Sequence, residues 1–245
     1  MASKSREQSI KSMLQDLEVP ESAYSLVDIS LTHKSFANEI SGSPSPDPSV
    51  YNQRLEFLGD AVLGMIMAQW LYELHSNRNE GQLTHKKSRI VCEATLADLA
   101  RQLDFSRLLL MGKGETATGG ATRDKNLADA LESFIGAVYL ASGLETAKSC
   151  IYKLFEPYVR EQRIVAGSYD FKSRLQEYVL KIHRVRPDYQ LLETHGPEHN
   201  KTFRVGLFIR GEKKSEGVNS SRKRSEQDAA EIYLKELSAT GEISL

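Results

Sequence analysis

The stretch RLEFLGDAVLGMIMAQWLYELH, residues 54–75, decides how the chain is read. Leu55, Leu58, Val62, Met65, Ile66, Gln69 and Trp70 recur at roughly helical spacing, which predicts one long, largely buried helix. Inside it, Glu56 and Asp60 stand four residues apart, so both carboxylates leave the same face. Two like charges on a burying helix are unfavourable unless something positive lies between them. Two readings compete for this pair. One is an acidic pair on a solvated face. The other is a pair of ligands for a hard divalent cation such as Mg²⁺, which is held by carboxylate oxygens and water.

A second stretch, DKNLADALESFIGAVYLASG at 124–143, shifts the balance toward metal. It predicts another helix and sets Asp129 and Glu132 three apart among Leu127, Leu131, Phe134, Ile135, Val138 and Leu140. Four carboxylates from two packed helices suit Mg²⁺ or Mn²⁺. They suit zinc poorly, because no Cys or His is spaced to complete a zinc set. A di-iron carboxylate bundle wants Glu-x-x-His. Here Phe-Leu-Gly follows Glu56 and Ser-Phe-Ile follows Glu132, so that alternative fails on its key ligand.

RLEFLGDAVLG and LADALESFIGAVYL resemble the two signature segments of the ribonuclease III family, double-stranded-RNA endonucleases. The likeness runs from about Leu31 to about Leu237 in a bacterial-type order of nuclease domain, then binding domain. It implies that Glu56, Asp60, Asp129 and Glu132 are metal ligands, with Asp60 and Glu132 catalytic. It also implies that Glu80 is a further acid near the cleavage centre, although a helix N-terminal acid favoured by the macrodipole explains Glu80 equally well. Phe57 matches a phenylalanine that, in the family, inserts into a pocket on the partner subunit; its other reading is an ordinary core aromatic. Gln53 departs from the family, which commonly carries glutamate there, and the expected effect is on substrate handling and not on activity itself.

At 245 residues the chain is long enough for one large domain or two ordinary ones, and 40% hydrophobic and 27% charged residues are an ordinary soluble-protein composition. A net charge of −1 hides an asymmetry, because residues 172–224 alone carry 13 basic and 6 acidic side chains. Cys92 and Cys150 have no metal-ligand spacing and read as small core or near-core residues of a reducing compartment. The first residues, MASKSREQSIKSML, lack a signal-peptide profile, and the apolar run 61–72 is too short for a bilayer. A cytoplasmic location is expected.

Along the chain, an amphipathic helix is predicted at 5–17, and LTHKSFANE at 31–39 resembles a further family block. His33 and Lys34 there are expected to pack or face phosphate and not to reach the acidic cluster. SGSPSPDPS, 41–49, places three of the seven prolines within five positions and reads as a surface insertion that is neither helix nor central strand. GKGETATGGATRDKN, 112–126, is glycine-rich but lacks the Walker spacing, so nucleotide binding is not expected. Lys125 either meets substrate phosphate or pairs with the acids. Gly143 is expected to stop the second signature helix, and a helix at 145–155 is expected to end at Pro157.

After a linker at 163–169 the period changes. A helix at 170–182, three strand-like runs with turns at Gly196-Pro197 and Gly211-Glu212, and a helix at 221–237 give an α-β-β-β-α order. This resembles the double-stranded-RNA-binding domain, which reads A-form shape through minor grooves and intervening phosphates. By that likeness Gln176 and Glu177 face one minor groove, Pro197, Glu198 and His199 enter the next, and Arg222, Lys223 and Arg224 clamp phosphates. The family pattern at the last site is Lys-Lys-x-Ala, and this chain has Arg222-Lys223-Arg224-Ser225.

The expectation is therefore an all-α endonuclease domain at 1–162 and a small α+β binding domain at 170–238. The resemblance implies a homodimeric, Mg²⁺-dependent endoribonuclease, with Mn²⁺ able to substitute. Its products would carry 5′-phosphate and 3′-hydroxyl ends with short 3′ overhangs, and its substrates would be rRNA precursors and structured mRNA. A non-catalytic RNA-binding protein is the rival, and four clustered acids that repel phosphate argue against it.

Overall fold

The computed structural model describes residues 5–160, 171–196 and 201–241. The chain divides into two compact units, Met1–Ser168 and Tyr169–Leu245. The expected linker at 163–169 and the expected groove residues Pro197, Glu198 and His199 lie outside the described residues.

The first unit is helical: α1 (Arg6–Asp16), α2 (Tyr24–Ser30), α3 (Lys34–Ser41), α4 (Gln53–Leu74), α5 (Glu80–Ile90), α6 (Glu93–Gln102), α7 (Phe105–Leu108), α8 (Lys113–Ala117) and α9 (Asp124–Val159). Ser5 caps α1 in a reciprocal box with Gln8. Arg6 then ties that helix inward, donating to Asp28 and to the Leu108 carbonyl. The expected loop at 41–49 begins only after Gly42, which ends α3 in the left-handed region, and Pro48–Val50 forms one turn of 3₁₀ helix. Proline at the first helical position is compatible with such a turn, because its missing N–H would have no partner there.

The core of this unit is built on α4 against α9. Leu55, Gly59, Val62, Leu63, Ile66, Met67, Trp70 and Leu71 are the buried residues of α4. The stripe is thus rotated from the sequence expectation: Met65 and Gln69 are exposed, and Leu63, Met67 and Leu71 take their places in the core. The cause is backbone proximity. A Cβ on Gly59 would lie 1.7 Å from the Glu132 carbonyl oxygen, and one on Gly136 would lie 2.3 Å from that of Leu55. Only glycine on each helix permits this crossing. The Ser133 hydroxyl donates to the Asn52 carbonyl at 3.1 Å, pinning α9 to the start of α4. Farther along, Trp70 stacks on Tyr152 with ring centroids 4.1 Å apart.

Gly143, with φ 82° and ψ 178°, interrupts α9 where a stop was expected, but helix resumes at once. It then runs through Pro157 to Val159 and does not end at the proline. Pro157 lies in the last turn, so it removes one hydrogen bond while Phe155, Tyr158 and Val159 keep that turn in the core. By length and composition α9 could cross a membrane, yet its buried side chains make up much of this unit's core.

The second unit has the expected α-β-β-β-α order: α10 (Phe171–His183), β1 (Asp188–His195), β2 (Thr202–Ile209), β3 (Glu212–Asn219) and α11 (Arg222–Ala239). The strands form one antiparallel sheet in the order β1-β2-β3. Leu175, Val179, Leu207, Ile209, Ala229, Ala230, Leu234 and Leu237 fill the space between sheet and helices. The β2–β3 turn consists of Arg210 and Gly211, both at positive φ, and Glu212 already belongs to β3. That two-residue turn matches the right-handed strand twist. α11 rests directly on β3, where the Ser215 hydroxyl donates to the Ala229 carbonyl at 2.6 Å.

The helix crossing predicts a contrast between two glycines of α4. Gly59→Ala must push the helices apart and should cost roughly 3 kcal/mol or more. Gly64→Ala, at a position with nothing within 4 Å of the new methyl, should be neutral or stabilising by about 0.5–1 kcal/mol. Chemical denaturation of the two variants distinguishes them, and equal stabilities would contradict the crossing.

Candidate metal centre and RNA-binding face

The glycine crossing sets Glu56, one turn from the start of α4, beside Asp129 and Glu132 on α9. One carboxylate oxygen from each of these three residues lies within 4.8 Å of the others, and all three side chains are half-buried. Asp60 stands one turn farther along α4 and is more exposed. It lines a recess of about 330 Å³ together with Gln53, Glu56, Phe57 and Glu132. The structure therefore gathers the four acids at one place, three of them tightly and Asp60 on the rim.

The electrostatics show an unmet need for positive charge. Burial, reinforced by Asp60, Asp129 and Glu56, pushes the Glu132 carboxyl up to about 7. Burial also raises Glu56, with Asp129 and Asp60 adding to the shift and Lys125 opposing it. The Lys125 ammonium sits 2.8 Å from Asp129, which raises the lysine in turn. Of the two roles expected for Lys125, pairing with the acids is the one seen. An all-oxygen donor set of clustered carboxylates, only partly neutralised, fits a hard divalent cation.

His33 belongs neither to the three-acid group nor to the recess lining, but its ring feels the charge of Asp129. Its ring caps α3: the Ser35 backbone N–H donates to Nδ1 at 3.2 Å, and the Ser35 hydroxyl lies 2.8 Å from the same nitrogen. That hydroxyl accepts from the Gly112 N–H at 3.0 Å, which leaves its proton for the imidazole. The ring proton is then on Nε2. Burial holds His33 below its ordinary value against the pull of Glu115 and Asp129. Sequence alone could not reveal a relay that closes through Gly112, 77 positions from Ser35.

Glu80 occupies the first turn of α5 behind an Asn79 cap, and its carboxylate accepts from the Thr84 hydroxyl at 3.1 Å. It belongs neither to the three-acid group nor to the recess lining. Phe57 is 82% exposed, so it is not a core aromatic. It lines both the acidic recess and a groove of about 730 Å³ whose other walls include Leu26, Ile29, Leu58 and Leu140.

In the second unit Gln176 and Glu177 lie exposed on α10, and Arg222, Lys223 and Arg224 lie exposed on the first turn of α11. Ser221 caps that helix by accepting from the Arg224 N–H. Glu226 accepts from Arg222 at 3.1 Å and from Lys172 at 2.6 Å, which fixes the arginine along the helix. Ser225 stands where alanine was the family pattern. It is buried, and its hydroxyl donates to the Phe203 carbonyl at 2.7 Å, so the substitution leaves no stranded polar group.

The raised carboxyls predict how the metal-free protein responds to pH. Glu132 has an ordinary value of 4.5 and a folded value of about 7, so the folded state binds more protons between these limits. Stability is therefore complete below about 4.5 and falls as pH rises through about 7. Thermal unfolding in chelator across that range should show the decline, and Glu132→Gln should flatten most of it. A variant with the wild-type slope would rule out this carboxyl as the source.

Comparison with known proteins agrees with this geometry. The chain matches the ribonuclease-III-like family over residues 24–158 and the double-stranded RNA binding motif over residues 171–237. It is 37% identical to ribonuclease 3 of Borreliella afzelii, over 95% of this chain and 93% of that protein. It is 40% identical to ribonuclease 3 of Thermobifida fusca, over 86% of this chain and 85% of that protein. Among solved structures, the nuclease domain of ribonuclease III from Campylobacter jejuni aligns with a TM-score of 0.54 at 34% identity, covering 61% of this chain and 98% of that one. With acids gathered at a glycine crossing and an α-β-β-β-α unit after them, the chain belongs to the ribonuclease III family and is an endonuclease of double-stranded RNA.

Proposed function

We propose that this chain is a homodimeric, Mg²⁺-dependent endoribonuclease in which Glu56, Asp60, Asp129 and Glu132 hold the metal. Mn²⁺ is the expected substitute, and the products carry 5′-phosphate and 3′-hydroxyl ends with short 3′ overhangs. The observation that carries the reading is the three-acid cluster with Asp60 on its rim. A binding protein gains nothing from buried carboxylates that repel phosphate.

When bound, a divalent cation acidifies water and offsets negative charge at the scissile phosphate. The chain's own groups prepare that chemistry. Glu56 and Glu132 are both raised by burial and by neighbouring acids, so a cation bound between them would relieve the strain on their ionised forms. The Lys125 ammonium holds Asp129 in place. Asp60 and Glu132 are assigned the catalytic roles on family likeness, and both line the recess together with Glu56. Glu80 is kept as an accessory acid on family likeness alone.

Dimerisation belongs to the same reading. Phe57 projects from the face that also carries the apolar groove, so knob and hole lie on one surface. A two-fold axis would seat each ring in the other subunit's groove. The Campylobacter jejuni nuclease domain has a region involved in dimer formation. Duplex binding is assigned to Gln176, Glu177, Pro197, His199, Arg222, Lys223 and Arg224. The domain limits 1–162 and 170–238 complete the assignment, supported by family matches at 24–158 and 171–237. A cytoplasmic role in rRNA and mRNA processing is the biological setting we infer.

The test is a labelled RNA duplex incubated with purified protein, with and without Mg²⁺. Wild type should cut only with metal, and Glu132→Gln should bind the duplex near normally while cutting at least a hundredfold more slowly, about 2.7 kcal/mol in barrier. Wild-type turnover by the variant would overturn the metal assignment. Light scattering on Phe57→Ala addresses the dimer. The wild type should weigh twice 27.5 kDa and the variant should shift toward monomer, whereas an unchanged dimer would remove the ring from the interface.

A further inference from the structure

The acidic recess is lined by Gln53, Glu56, Phe57, Asp60 and Glu132. Ionised carboxylates are acceptors only and a phenyl ring offers no N–H, so among the described residues of that lining the Gln53 amide is the one side-chain hydrogen-bond donor when the acids are ionised. It stands at the first position of α4, exposed, one turn before Glu56 and Phe57. That spacing sends the three side chains out on one side. Among the described residues its amide has no hydrogen-bond partner, so it is uncommitted. The same side chain also lines the apolar groove that carries Phe57. Gln53 is thus on the ridge between the acidic recess and the face assigned to the partner subunit.

A phosphodiester presents acceptors alone. Against Glu56, Asp60 and Glu132 it meets like charge, and only a donor on the recess wall can hold it without an intervening ion. A carboxylate at position 53 would add to the repulsion, whereas an amide N–H reverses it locally. We propose that Gln53 is a substrate-binding residue, donating its side-chain amide N–H to a non-bridging phosphate oxygen of the RNA backbone at the recess while leaving cation binding to the acids. This rests on the reading of the recess as the cleavage centre.

The test compares Gln53→Ala and Gln53→Glu in the full chain by two titrations, Mg²⁺ without RNA by calorimetry and RNA duplex in chelator. Both variants should fold, since the position is exposed and an acid in a first helical turn is favoured by the macrodipole. A circular dichroism melt checks this. A hydrogen bond to a charged acceptor is worth about tenfold in affinity. Gln53→Ala should weaken metal-free duplex binding by about that factor and leave the Mg²⁺ titration within twofold of wild type. In cleavage, its KM should rise while kcat changes little. Gln53→Glu should weaken metal-free duplex binding further and tighten Mg²⁺, because the recess gains a carboxylate. Wild-type duplex affinity in Gln53→Ala overturns the donor role. An unchanged Mg²⁺ titration in Gln53→Glu also overturns the proposal, by showing that the side chain does not face the recess. Should wild type bind Mg²⁺ and duplex yet never cut, the functional reading fails while both titrations still decide the role of Gln53.

Discussion

The structure depends on one steric permission: two helices touching through their backbones at Gly59 and Gly136. Side chains of ordinary size hold helix axes about 8–10 Å apart, and at that spacing acids on facing helices compete with their neighbours' bulk. Removing a Cβ from each helix at the crossing brings Glu56 against Asp129 and Glu132 without any long, flexible reach. The same contact dictates which side of α4 is core, and so exposes Phe57 and Met65. Packing and chemistry are consequences of a single close approach.

That approach concentrates negative charge in a partly desolvated place, and the surroundings are arranged around the cost. The Ser133 hydroxyl, on α9, reaches the Asn52 carbonyl before α4 and ties the two helices together beside the acids. Lys125 answers Asp129, while Ser35, itself held by the Gly112 N–H, orients the His33 ring. The binding unit uses the opposite sign. Arg222, Lys223 and Arg224 crowd the start of α11, where the helix dipole favours anions over cations, and Glu226 offsets Arg222. Such cations gain most when a phosphate arrives.

Much of this was legible in the sequence because periodicity and acid spacing are local. The two signature helices, the paired carboxylates and the α-β-β-β-α order need only near neighbours to be read. The misplacement of Met65 and Gln69 has a physical source: glycine contributes no hydrophobic signal, so the centre of the buried face at Gly59 was invisible to an apolar pattern. The continuation of α9 past Pro157 is decided by burial of Tyr158 and Val159, a tertiary matter. The β2–β3 turn moved by one residue because Arg210 accepts a positive φ that propensity assigns to glycine. Ser225 and the Ser35–Gly112 link join positions far apart in the chain, which no window of sequence displays.

The ion pair between Lys125 and Asp129 bears on how the fold tolerates its own acids. In many small metal proteins the ion is the keystone, and chelation collapses the fold. Here an ammonium 2.8 Å from Asp129 supplies part of the positive charge the clustered acids call for, and Glu132, raised to about 7, can relieve more by taking up a proton. The tolerance of the acids is thus built from the chain itself: one ammonium beside Asp129, and one carboxyl that can lie neutral.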